Sequence, residues 1–276
     1  MTIRAMTIED LEIVLGWAAD EGWNPGLDDA AAFLTADPAG FLIKMVDDEM
    51  VAAISVANHS PDFAFLGLYI CKPEHRGQGH GLNVWQAGIA HAGTRTIGLD
   101  GVPDQQENYA RSGFKKTGST VRYEGSIKAI SDPRIRKATP SDLRCLVSRD
   151  AKGTGIDRSA FSTVWLSPTQ NRKTLVLTNG VEVNGFATFR RCGRGAKIGP
   201  LQATCEADAQ ALMASNPFAE VDEPVFIDVQ GNDSKFGQLL EKQGFAPTFE
   251  TARMYKGSPP ETKQTGYLAI ASMELG

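Results

Sequence analysis

Apolar and polar residues fall along this chain in short blocks that spell out strands, turns and helices. The run Phe63-Ala64-Phe65-Leu66-Gly67-Leu68-Tyr69-Ile70 is apolar without alternation and predicts a buried strand. Leu82, Trp85 and Ile89 follow at helical spacing, which predicts a helix with Trp85 on its core face. Near the start, Ile3-Arg4-Ala5 predicts a short strand. Thr7, with Asp10 three residues on, then caps and opens a helix. Tyr267-Leu268-Ala269-Ile270-Ala271 predicts a last strand beyond the breaker Ser258-Pro259-Pro260-Glu261.

The same blocks recur at a nearly constant offset of about 131 residues. Ile3 to Leu11 is echoed by Ile135-Arg136-Lys137-Ala138-Thr139-Pro140-Ser141-Asp142-Leu143, with Pro140 expected at the first helical position. Gly113-Phe114, then Thr117, Thr120, Arg122, Tyr123 and Gly125, is echoed by Gly244-Phe245, then Thr248, Thr251, Arg253, Tyr255 and Gly257. The pattern implies a duplicated unit. The domains expected are 1–128 and 135–276, the repeat itself closing near 257, with 129–134 as linker.

Composition narrows the partners. Net charge is −5 with scattered basic residues, which argues against nucleic acid. Cys71, Cys145, Cys192 and Cys205 form no CxxC pair, no long apolar run suggests a membrane span, and no charged-then-apolar leader is seen. Free thiols in a reducing cytoplasm are expected. His59, His75, His80 and His91 have no ligand spacing, so no metal is expected.

The chemistry concentrates in Arg76-Gly77-Gln78-Gly79-His80-Gly81, between the buried strand and the following helix. Glycines there allow close backbone approach, and the free amides and dipole of a helix start attract an anion such as pyrophosphate. No Gly-Lys-Ser/Thr follows, so it is not a P-loop, and the glycine spacing is not that of a dinucleotide fingerprint. Arg-x-x-Gly-x-Gly after a strand resembles the acetyl-CoA pyrophosphate loop of the GNAT N-acetyltransferase superfamily. Tyr109-Ala110-Arg111-Ser112-Gly113-Phe114 resembles that family's later Tyr-x-x-x-Gly-Phe element.

The resemblance implies an α/β (α+β) fold of two tandem GNAT-like domains. Each would have a mixed, mostly antiparallel sheet flanked by helices, with a splayed parallel strand pair that admits the acyl-pantetheine arm. Here the pair would be residues 63–71 and 95–100. Backbone of Leu68, Tyr69 and Ile70 would pair with pantetheine. Amides of Gln78, Gly79, His80 and Gly81, preceded by Arg76, would hold the pyrophosphate, and Tyr109 would protonate the leaving thiolate. A strand amide, that of Tyr69 or Ile70, would hold the oxyanion.

The second copy departs from the pattern. Shifted onto it, the loop places Asp208 at Arg76, Ala211 at Gly79 and Met213 at Gly81, while Leu240 stands at Tyr109. One working site, in the first unit, is expected. The general base stays open among Asp62, Asp100, Glu107 and a water chain. The loop Asp20 to Asp28, with Glu21, Trp23 and Asn24, and also Asp100, are the candidates for holding the acceptor. The expected activity is direct acetyl transfer from acetyl-CoA to a primary amine, on a small molecule or a protein. The alternative is a non-catalytic acyl-CoA sensor whose second unit docks a partner. Self-association into a homodimer stays open.

Overall fold

The computed structural model describes residues 2–180, 182–219, 223–231, 234–262 and 266–276. The first half runs β1 (Thr2–Ala5), α1 (Ile8–Asp20), α2 (Asp29–Ala36), β2 (Phe41–Val46), β3 (Glu49–Asn58), β4 (Phe63–Cys71), α3 (His80–Ala92), β5 (Thr96–Gly101), α4 (Gln106–Arg111) and β6 (Lys115–Gly125). The second half repeats that order as β7 (Ile135–Lys137), α5 (Leu143–Thr154), α6 (Ser159–Trp165), β8 (Arg172–Thr178), β9 (Val183–Arg191), β10 (Ala196–Gln202), α7 (Glu206–Ala214), β11 (Val225–Gln230), α8 (Lys235–Lys242) and β12 (Ala246–Lys256). A further strand, β13 (Tyr267–Ala269), has no counterpart in the first half.

The duplication reaches individual bonds. Thr7 and Asp10 form a reciprocal capping box, and Arg4 clamps Asp10 with two bonds of 2.5 and 3.0 Å. Arg136 clamps Asp142 in the same way, at 2.7 and 2.9 Å. The Thr139 hydroxyl, however, donates to the Asp142 carboxylate instead of accepting from the Asp142 N–H, which bonds Thr139 O, and the chain makes i→i+3 turns at Asp142 and Leu143. Helix α5 therefore begins at Leu143, and Pro140 lies in the preceding turn rather than at the first helical position.

Among the described residues all thirteen strands share one sheet, in the order β1-β2-β3-β4-β5-β12-β6-β11-β10-β9-β8-β7, with β13 beside β10. The order is nearly a palindrome, but the last strand of each half has crossed over. β12 lies between β5 and β6, and β6 lies between β12 and β11. Each half thus completes the sheet of the other. Helices α2 and α6 also meet across the halves, where Phe33 stacks on Trp165 at 5.9 Å between centroids. One apolar cluster contains Leu11, Phe33 and Phe41 with Phe161, Trp165 and Phe186.

Two pairs of neighbouring strands are parallel, and both come apart. β4 pairs β5 from Phe63–Thr96 to Leu66–Leu99 and no further. β10 pairs β11 from Ala196–Val225 to Ile198–Ile227 and no further. The two openings have different fates. β13 enters the second, pairing Leu201 with Ala269 and Gln202 with Tyr267, and Ile270 N–H reaches Asp228 O at 3.0 Å. The chain's own tail fills that cleft, and the first one stays open.

Candidate active site

In the open cleft, β4 breaks register with β3 between Ser55–Gly67 and Ala53–Ile70, and Leu68 takes φ 45° inside the break. A non-glycine residue at positive φ is strained, and such strain persists where the surroundings hold it, commonly at functional sites. Beyond Leu66 the backbone of Leu68, Tyr69 and Ile70 no longer pairs with β5. These are the residues expected to meet the pantetheine arm.

At the top of β4 the glycine-rich turn leads into α3. Gly77 and Gly79 have φ 77° and 83°, and a Cβ on either would meet nothing within 4 Å. The backbone angle, more than crowding, requires glycine there. Gly79 caps α3 without a side-chain hydrogen bond, so the helix start favours an anion, although the Gly81 amide meets the Cys71 thiol. Gln78 Nε2 bonds back to Glu74 O at 3.1 Å, and His80 is buried beside His75. Arg76 bonds Cys71 O at 2.9 Å and Glu21 at 2.6 Å. Glu21 thus meets a residue of the turn on the surface. The exposed pair is worth little, so an incoming phosphate would displace it at small cost.

Tyr109, from α4, is buried and stacks on Trp85 at 5.5 Å, and Trp85 also touches Tyr69 at 5.4 Å. Trp85 packs against the core, as expected, but it also lines a surface groove with Leu82, Asn108 and Arg111. Its position beside the groove was not legible from helical spacing. Tyr69 and Tyr109 line both this groove and a second cavity lying between β4 and β5. The two phenols therefore form the wall between groove and cavity. Burial pushes the Tyr109 phenol far above its ordinary pKa, and that of Tyr69 is raised for the same main reason.

The inner cavity is walled by Leu68 and Leu99 on the first half and by Phe249, Thr251, Met273 and Glu274 from the second. Trp23 also lines it, and its carbonyl accepts from Arg122 and Lys197, both at 2.9 Å. Asn24, expected on the acceptor side, instead exchanges hydrogen bonds with the Arg194 backbone at 2.8 and 3.1 Å. It fastens the loop to the second half. Asp28 does likewise with Thr169 and Asn171.

Of the carboxylates weighed as general base, Asp62 and Glu107 lie outside the cavity lining and Asp100 is engaged by its neighbours. Asp100 lines the cavity, but Arg253 holds it at 2.9 and 2.6 Å and Thr120 donates at 2.8 Å. Three of its roughly four acceptor sites are thus already taken. Asp62 is exposed at the opposite end of β4, and Glu107 is exposed on α4. Glu274, which sequence reasoning passed over, does line the cavity. Its only sequence signal was a carboxylate in a tail rich in apolar residues. Among the described residues, Glu49, Glu74 and His75 lie within 4.8 Å of one another, a juxtaposition that spacing did not reveal, and Lys72 already occupies Glu49 at 2.7 Å.

The second half lacks this machinery, for a reason other than the one expected. Residues 72–79 separate β4 from α3, whereas only 203–205 separate β10 from α7. The turn is shortened, not substituted. Asp208, Ala211 and Met213 all lie inside α7, where Met213 is in the core and Asp208 pairs with Arg134 at 2.9 Å. Leu240 does correspond to Tyr109. Phe114 N–H bonds Tyr109 O at 3.1 Å, and Phe245 N–H bonds Leu240 O at 3.0 Å.

Comparison with known proteins agrees with this geometry. Residues 8–114 match the acetyltransferase (GNAT) family, and residues 146–268 match a second acetyltransferase (GNAT) domain family. A holothin acyltransferase from Pseudoalteromonas sp. (strain SANK 73390) is 34% identical over 279 residues, covering 100% of this chain and 94% of that one. Among solved structures, a candidate acetyltransferase from Pyrococcus horikoshii superposes with a TM-score of 0.80 at 21% identity, covering 100% of this chain and 95% of that one. A tandem GNAT protein from the clavulanic acid biosynthesis pathway superposes at 0.61 with 13% identity, covering 93% and 99%. These two likenesses concern the fold.

Proposed function

We propose that this chain, which belongs to the GNAT acetyltransferase family and is an acyltransferase, moves an acetyl group from acetyl-CoA to a primary amine in the open cleft of its first half. The observation that carries the proposal is the parting of β4 and β5 beside a free helix start, with Tyr69 and Tyr109 standing between groove and cavity. The positive-φ turn and the helix start without a side-chain cap suit a pyrophosphate. Gln78, Gly79, His80 and Gly81 would hold it, with Arg76 swinging from Glu21. The backbone of Leu68, Tyr69 and Ile70, unpaired on its β5 side, would take the pantetheine as an added strand.

The thioester would then stand at the phenol wall. An amide of Tyr69 or Ile70 would hold the tetrahedral oxyanion. Tyr109 would give its proton to the departing thiolate. Its raised pKa keeps the phenol protonated over the working range, so the donor is present at every ordinary pH. The acceptor would enter the inner cavity. Trp23, Phe249 and Met273 suit a small, flat and largely apolar amine better than a lysine on a folded protein. The Pseudoalteromonas relative, named for holothin, points to a small-molecule acceptor as well.

The second half would serve as scaffold, with its own cleft filled by β13. One acetyl-CoA should bind per chain. Calorimetry with acetyl-CoA, followed by thiol release in the presence of holothin and simple aromatic amines, tests both points. Two comparable binding sites would overturn the division of labour. Tight acetyl-CoA binding with no transfer to any amine would leave a sensor in place of an enzyme.

A further inference from the structure

Among the described residues six acidic ones are buried: Asp10, Asp29, Asp142, Asp150, Asp228 and Glu274. Arginine pairs with each of the first five, through Arg4, Arg190, Arg136, Arg158 and Arg122 in that order. Glu274, only 6% exposed, has no side-chain hydrogen bond or ion pair among the described residues. Burying an unpaired carboxylate is costly, so its retention calls for a role.

The tail holds this carboxylate firmly. Ile270 bonds Asp228 O at 3.0 Å on one side of it. On the other, the Leu275 carbonyl meets His59 Nε2 at 3.1 Å. Between them the tail crosses β4 at Gly67, where a Cβ would collide with the Glu274 carbonyl. Gly199 of β10 stands in the equivalent place and would collide with the Ile270 carbonyl. The tail thus passes over both strand partings, filling one and lining the other.

Resting on the acyl-transfer function proposed above, we infer that Glu274 is the general base that takes the proton of the acceptor ammonium. Arg122 and Lys197 act on its charge through space, but neither is bonded to it among the described residues. Asp228 already neutralises Arg122 through two bonds of 2.7 and 2.9 Å, and Lys197 donates to Trp23 O. Asp100 is clamped by Arg253, and Tyr69 and Tyr109 stay neutral across the cavity.

The step balances. One N–H bond of the ammonium breaks as its proton moves to Glu274, and the freed lone pair forms the C–N bond at the thioester carbon. The carbonyl π pair moves to oxygen and returns as the C–S bond breaks. Sulfur keeps that bond pair and takes the Tyr109 proton, and the phenolate regains one from the second surplus N–H. The products are the amide, free CoA thiol and one proton left on Glu274, which passes to solvent.

The test compares the full-length wild type, Glu274→Gln and Glu274→Asp in thiol release from acetyl-CoA, with holothin and benzylamine as acceptors, from about pH 6 to about pH 10. Glu274→Gln should lower kcat/KM by about 10²–10³-fold near neutrality. The deficit should shrink as alkali delivers the amine already neutral. Glu274→Asp should recover part of the rate, and all three should bind acetyl-CoA alike by calorimetry. A Gln variant that matches wild type at every pH, or falls by one constant factor at every pH, would overturn the assignment. A wild type that transfers to neither amine would instead overturn the proposed function itself.

Discussion

Tyr109 carries the sharpest residue-scale consequence of the structure. An ordinary phenol would titrate near pH 10 and place its own limb on the alkaline side of a rate profile. Burial against Trp85 removes that limb, because the neutral form persists far beyond it. Tyr109→Phe should lower kcat by roughly 10–10³-fold while KM for acetyl-CoA moves little, since the ring still stacks and the turn is untouched. The shape of the pH–rate profile should be unchanged, which differs from what the residue type alone suggests. Steady-state kinetics of the variant across pH checks both halves of the expectation. A wild-type kcat would make Tyr109 a packing residue.

At the scale of elements, the tail from β13 onward matters most. Gly67→Ala would press a methyl group against the Glu274 carbonyl, a backbone contact with no flexible end to yield. The variant should lose about 1–3 kcal/mol of stability. It should also lose more kcat than acetyl-CoA affinity, because the turn at α3 is remote from the clash. Denaturant midpoints with calorimetry separate these effects. The tail's contact with His59 adds a pH dependence. The His59 ring keeps Nδ1 buried without a partner. Burial first, and then the charge of Arg158, hold its pKa down to about 4, against 6.5 for a free imidazole. The unfolded chain therefore binds this proton first as pH falls. Stability is full above about 6.5 and declines toward 4, by about 1–3 kcal/mol once the residue's remaining exposure is discounted. Asp10, lowered to about 2 chiefly by Arg4, loses its contribution only below that window. Urea midpoints of wild type and His59→Gln at pH 7 and pH 5 should diverge, with the flatter response in the variant.

For the whole molecule, the exchange of β6 and β12 decides what can stand alone. A fragment of residues 1–128 would lack β12 and so expose unpaired edges on both β5 and β6. It would also lack Met273 and Glu274 from the cavity. Such a fragment should aggregate or unfold at temperatures where the full chain is intact, and it should not transfer acetyl groups. Size-exclusion chromatography and thermal melts of the fragment check this. A monodisperse, active fragment would make the second half dispensable. No helix among the described residues is long and apolar enough to cross a membrane.

Local signals were legible because they are written within one element. The apolar run at 63–70, the Thr7–Asp10 cap, the glycine turn and the Gly113-Phe114 echo at Gly244-Phe245 each report contacts a few residues apart. From them the duplication, the fold class and the family followed. Residue-by-residue matching failed where the second turn is shortened, since an offset kept constant through a deletion placed Asp208, Ala211 and Met213 in a turn they do not occupy. Exchange of β6 with β12, entry of β13 into the second cleft and arrival of Glu274 in the first are pairings between segments far apart in the chain. Hydrophobic periodicity records which face of a strand is buried but not which neighbour buries it. Only the folded sheet, where every edge and every buried charge must find a partner, made those choices.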